Sequence, residues 1–177
     1  MDSVLSQTYK NIVTIVHTDD PRDKYAKGDI TIQGSCYGSE YGTAPYNLYC
    51  NKLLDAIPDG EGWYHFLDDD DVYAAPDVIE KLVELSKRDY MNVAHVKRWG
   101  NKIMPPEWGD ARKGFQTECF FLHTDHKKKA RWWGNKNGDG NYSLKLLKTM
   151  PVNWIENLLI CKAQEGKGFG NRTDLNG

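Results

Sequence analysis

The chain reads as an α/β sandwich around a largely parallel sheet. Three observations point there. Strand-like and helix-like stretches alternate through the first half and mix later, the pattern of a sheet covered by helices. Residues 11–17 are nearly continuous in apolar side chains (Ile12, Val13, Ile15, Val16), as in a strand buried on both faces. Four consecutive aspartates, Asp68 to Asp71, close a short apolar run, and in parallel sheets ligands gather where strands end.

Residues 3–9 read as the end of a short helix. The strand at 11–17 is broken by Thr18-Asp19-Asp20-Pro21. Residues 29–33, with Ile30 and Ile32 alternating, form a second strand, and 34–42 form a loop. Residues 44–57 carry helical spacing at Leu48, Leu53, Leu54 and Ile57, and Pro58-Asp59-Gly60 stops them. Residues 63–67 are the strand that delivers the aspartates. Residues 76–88 are a helix with Pro76 in its first turn and an apolar face of Val78, Ile79, Leu82, Val83 and Leu85. Residues 92–96 and 118–123 read as strands, with a polar loop or hairpin at 100–114 between them. Residues 126–133 and 141–150 read as helices, and 152–161 as the last strand. The glycine-rich stretch 166–177 is expected to be a mobile tail of a single domain spanning 1–177.

Composition narrows the function. A formal charge of −2 argues against a general nucleic-acid binder. No apolar run approaches the roughly 18 residues of a membrane span. Cys36, Cys50, Cys119 and Cys161 lack CxxC spacing and read as reduced thiols. With no signal peptide at the start, the expected location is cytoplasmic. The aspartate run carries the chemistry. Two like charges about 4 Å apart cost roughly 4 kcal/mol at an effective dielectric near 20. A fold tolerates such a cluster at a strand end when a divalent cation neutralises it, or when the cluster is a solvated turn. On an extended chain, positions i and i+2 point the same way, so Asp68 and Asp70 are the pair that addresses one ligand.

Two segments together resemble one family. Ser3-Val4-Leu5-Ser6-Gln7-Thr8-Tyr9-Lys10-Asn11-Ile12 resembles the "SVLxQTYxNxE" segment of family 2 glycosyltransferases with the GT-A fold. Phe66-Leu67-Asp68-Asp69-Asp70-Asp71 is similar to their "FLDxDD" segment, which holds the DxD motif. Asn51, about one helix upstream, resembles the Asn of their "RNxG". Trp132-Trp133 followed by Gly138-Asp139-Gly140 is similar to the region of their acidic catalytic residue. The likeness covers residues 3–150. It departs in two places. The family normally has a strand and half a helix before "SVLxQTY", so the fold is expected in an N-terminally abbreviated form. The family's "VDDGS" is also altered, with Thr18 and Asp19, or Asp19 and Asp20 after a one-residue shift, at its acidic positions.

The resemblance implies a three-layer GT-A sandwich and an inverting transfer of sugar from a nucleotide-sugar, UDP-linked by expectation, to a hydroxyl of a glycan or lipid-linked carrier. It implies Mn²⁺ or Mg²⁺ held by Asp68 and Asp70. Asp19, Asp20, Asn51, Asp68 and Asp69 are the implied nucleotide-sugar positions, with Asp69's side chain turned toward a structural partner. Asp71 is expected to cap the next turn or touch the acceptor region. Asp139, set between glycines, is the implied base, with Asp110 and Glu118 behind it. The run from His126 to Trp133 mixes cations with aromatics and reads first as a solvated helix face. Its functional reading is contact with a diphosphate or with a lipid carrier at a membrane surface. Arg22, Lys24, Lys27, Lys167 and Arg172 are further phosphate candidates. Trp99, Trp108, Trp132 and Trp133 are candidates for stacking on a sugar, while His17, His65 and His123 read as packed histidines. The rival readings are a non-catalytic remnant of the fold and another metal-dependent nucleotide-processing enzyme. The strand at 12–16 is expected to be an exposed edge, which invites a homodimer or a covering segment.

Overall fold

A computed structural model describes residues 1–19, 28–34, 45–98, 101–106, 115–134 and 137–163. It is a mixed α/β fold around a curled, mixed sheet. A short helix, α1 (Asp2–Leu5), leads to a parallel strand pair, β1 (Ile15–Thr18) and β2 (Ile30–Gln33), in register Ile15 to Ile30. Helix α2 (Pro45–Ala56) begins on a proline, whose fixed φ suits a first helical turn. Then follow β3 (Trp63–His65), β4 (Val72–Tyr73), α3 (Val78–Leu85), β5 (Met91–Arg98) and β6 (Lys102–Met104). A 3-10 turn (Thr117–Cys119), β7 (Phe120–His123), a second 3-10 turn (Thr124–His126), α4 (Gly138–Leu147) and β8 (Val152–Lys162) complete the order.

The second sheet runs β3-β7-β5-β8-β4, with β6 hairpinned onto the far half of β5. Among the described residues, only β5 and β8 are parallel neighbours in it. The expectation of a mostly parallel sheet is therefore corrected. The reason is an insertion: β3 and β5 point the same way, but β7 lies between them, antiparallel to both. Strand β8 follows β5 until the register shifts, and Asn157 takes a left-handed φ of 62°. Asparagine tolerates that conformation better than a branched residue does.

Two more expectations are corrected. The stretch 11–14 precedes the ladder, and Val13 is 58 % exposed, so the first strand is not buried on both faces. It belongs to a two-stranded ribbon whose second edge has no strand partner among the described residues. Residues 127–133 are not helical. Their side chains and backbone are drawn to separate partners: Lys127 to Asp59 at 2.7 Å, Arg131 to Asp55 at 2.6 Å, and the Trp132 N–H to Asn51 at 2.9 Å.

Leu54 of α2, Leu82 of α3 and Leu146 of α4 join Val93, Leu122 and Ile160 of the sheet in one apolar core. Buried Gln7 braces the N-terminal segment against α3. Its amide donates to the carbonyls of Ser3 and Ala75 and accepts from the Ile79 N–H at 3.1 Å. That supplies one of the free N–H groups at the start of α3 with an acceptor. Among the described residues, no helix is long and apolar enough to cross a membrane.

Candidate metal centre

The aspartate run is a turn, not an extension of β3. Asp69 and Asp70 form the bend, and the Asp71 N–H donates to the Asp68 carbonyl at 3.1 Å before β4 begins. A turn brings positions i and i+3 together where an extended chain would align i and i+2. Asp68 and Asp71 accordingly converge. Glu118 meets them from the 3-10 turn before β7, because β7 pairs with β3 (His65 opposite Phe121) and so enters beside the end of that strand. One carboxylate oxygen from each of Asp68, Asp71 and Glu118 lies within 4.8 Å of the others. Asp71 and Glu118 are 6 % and 3 % exposed, while Asp68 opens to solvent. The arrangement has a buried floor and one accessible edge.

Glu118 holds its proton well above the usual glutamate range, first through desolvation, then through the charges of Asp68 and Asp71. Asp68 is also raised, although solvent reaches it. Desolvation by the surrounding protein atoms is the first cause, a hydrogen bond with Glu118 works the other way, and Asp70, Asp69 and Asp139 add repulsion. Two carboxyl groups can share a hydrogen bond only if one is protonated; this one acts downward on Asp68 and upward on Glu118, which makes Glu118 the donor. The donor set is all hard oxygen, which suits Mg²⁺, Mn²⁺ or Ca²⁺. Asp68, Asp71 and Glu118 could hold such a cation, which would balance the charge that the shared proton otherwise offsets.

The expected site residues are placed as follows. Asp68 belongs to the carboxylate cluster. Asp70 stands outside it, raised by desolvation and by Asp69. Asp139 lies in the first turn of α4, where its carboxylate accepts from the Gly140 N–H at 2.8 Å, and its charge is felt at Asp68. Asp19 follows β1 and accepts from the Tyr49 hydroxyl at 2.6 Å, and Tyr49 stacks on His17 at 4.7 Å.

Asn51 holds a backbone: its amide donates to the Trp132 carbonyl and accepts from the Trp132 N–H, each at 2.9 Å. Trp132 is 2 % exposed and stacks on Tyr142 at 4.6 Å, which makes it core, while Trp133 is 59 % exposed. Asp20, Arg22, Lys24, Lys27, Trp99, Trp108, Asp110, Cys36 and the tail with Lys167 and Arg172 lie outside the described residues.

His65 is a packed histidine. Its Nε2 contacts the Glu118 carbonyl at 2.8 Å and its Nδ1 the Tyr73 hydroxyl at 3.0 Å, and burial lowers its pKa to about 4. His123 is also buried, against Trp63, Glu61 and Asp125. Cys50, Cys119 and Cys161 are free thiols.

Asp71 and Glu118 are the cluster members that spacing alone did not single out. The signal for Glu118 is the pairing of β7 with β3, which no local pattern displays. Compared with known proteins, the chain matches no family model and no curated protein.

Proposed function

We propose that the chain is a divalent-cation-dependent glycosyltransferase of GT-A type, moving a sugar from a UDP-sugar to a hydroxyl of a glycan or carrier. The observation that carries the reading is the convergence, at the end of β3, of Asp68 and Asp71 from the segment that resembles the DxD motif with Glu118 from the turn before β7. The common direction of β3, β5 and β8 supports the finer fold. Asp68, Asp71 and Glu118 would hold the cation, which would supply charge balance to the departing diphosphate.

Asp68, the solvent-reached member, is the one that donor phosphates meet. Asp139 is the base. Its carboxylate takes the proton of the acceptor hydroxyl as that oxygen forms its bond to the anomeric carbon and the bond to the diphosphate breaks. Displacement from the opposite face inverts the anomeric centre. The repulsion of Asp139 on Asp68 supports donor and acceptor ends within one site.

Calorimetric titration of UDP tests the reading. With Mn²⁺ present, the intact protein binds UDP and Asp68→Asn does not. Binding of equal strength without Mn²⁺, or in Asp68→Asn, contradicts it.

A further inference from the structure

We infer that His65 and Tyr73 are positioning residues for the cation site, fixing the place of Glu118 relative to the aspartate turn. The inference rests on the reading of the carboxylates as a cation site. The His65 Nε2 lies 2.8 Å from the Glu118 carbonyl oxygen, a group that can only accept, so Nε2 carries the proton. In the neutral ring Nδ1 is then the acceptor, and the Tyr73 hydroxyl, 3.0 Å away, donates to it. Tyr73 and His65 are also stacked, with ring centroids 5.6 Å apart and planes inclined by 29°.

The consequence is a bridge between the two segments that supply carboxylates. Tyr73 sits on β4, two residues after Asp71, and Glu118 sits on the 3-10 turn before β7. His65 stands between them on β3, held by its ladder position opposite Phe121. Two hydrogen bonds fix the tautomer and the plane of the ring. The ring therefore sets how far the Glu118 backbone stands from the turn that carries Asp68 and Asp71. Partners that orient ligands from behind typically govern metal affinity by 10- to 100-fold.

A purely packing role for His65 makes a different forecast, which a hydroxyl deletion separates. Tyr73→Phe keeps the ring stack and removes only the donor. His65→Leu removes both hydrogen bonds, and His65→Gln restores a donor for the Glu118 carbonyl. Mn²⁺ affinity is read from the electron paramagnetic resonance signal of free Mn²⁺, alongside urea unfolding without metal. Tyr73→Phe is expected to bind Mn²⁺ about tenfold more weakly than the intact protein, with His65→Gln binding more tightly than His65→Leu. If Tyr73→Phe binds Mn²⁺ with unchanged affinity and shows only a lower unfolding midpoint, His65 and Tyr73 merely pack. Should His65→Leu fail to fold, the Tyr73→Phe comparison decides alone. If the intact protein binds no Mn²⁺, or Asp71→Asn binds it equally well, the cation reading itself fails and the inference falls with it.

Discussion

A buried glutamate beside two aspartates needs a proton or a cation, and Glu118 makes that requirement measurable. Folded, it keeps its proton to higher pH than an unfolded glutamate does, so its contribution is full below the ordinary glutamate range and is lost as pH climbs through its raised value. His65 acts in the opposite sense. Its contribution is full above about 6.5 and is lost as pH falls toward about 4. Between about pH 7 and 8 the carboxylates are therefore isolated, because the buried thiols of Cys50, Cys119 and Cys161, also raised by desolvation, begin to contribute only above that range. Without divalent cations, the unfolding midpoint of the intact protein should fall between about pH 7 and 8, and Glu118→Gln or added Mg²⁺ should flatten that fall. Equal slopes in all three would remove Glu118 from the account. Gly138 gives a packing test, because a Cβ there would lie 1.9 Å from Asn47 Oδ1. Gly138→Ala should destabilise by about 1–3 kcal/mol in urea unfolding. From sequence, Glu118 stood only as a secondary candidate base, since the pairing of β7 with β3, 56 residues apart at His65 and Phe121, brings it to the aspartates.

Elements with a strong period were legible, and those shaped by distant partners were not. The helices read at 44–57 and 76–88 correspond to α2 and α3 within a few residues, and the strand read at 152–161 to β8. The run at 126–133 has helical composition but no helix, because Asp55, Asp59 and Asn51, all far upstream, claim its side chains and backbone. The aspartate segment read as extended is a turn for a similar reason: the chain must reverse to enter β4. Gln7 shows what the N-terminal segment does as an element. It fastens 3–9 to the start of the helix that follows the aspartates. Gln7→Ala leaves the Ala75 carbonyl and the Ile79 N–H without that amide, and should cost about 2 kcal/mol in urea unfolding. Hydrogen exchange at Ile79 should quicken by more than the change in global stability explains. An unchanged Ile79 rate would mean that the brace does not hold α3.

At the scale of the whole molecule, one pairing decides both the sheet and the site. The insertion of β7 between β3 and β5 turns an expected parallel sheet into a mixed one and carries Glu118 to the end of β3. The α/β class was readable from the alternation of elements, whereas neighbour order is set by long-range contacts that no local pattern encodes. Helix α4 brings Asp139 near enough for its charge to reach Asp68, and the proposed function assigns the two different tasks. Asp139→Asn should leave Mn²⁺-dependent UDP binding unchanged and lower sugar transfer by about 10²-fold or more. Loss of UDP binding in that variant would place Asp139 among the donor contacts instead.

The most direct test is anomalous diffraction from crystals grown with Mn²⁺ and UDP. The account predicts a manganese peak bonded to oxygens of Asp68, Asp71 and Glu118 at about 2.0–2.6 Å, the range of hard cations on carboxylates. A peak elsewhere, with those three carboxylates making no bond to the metal, would contradict it.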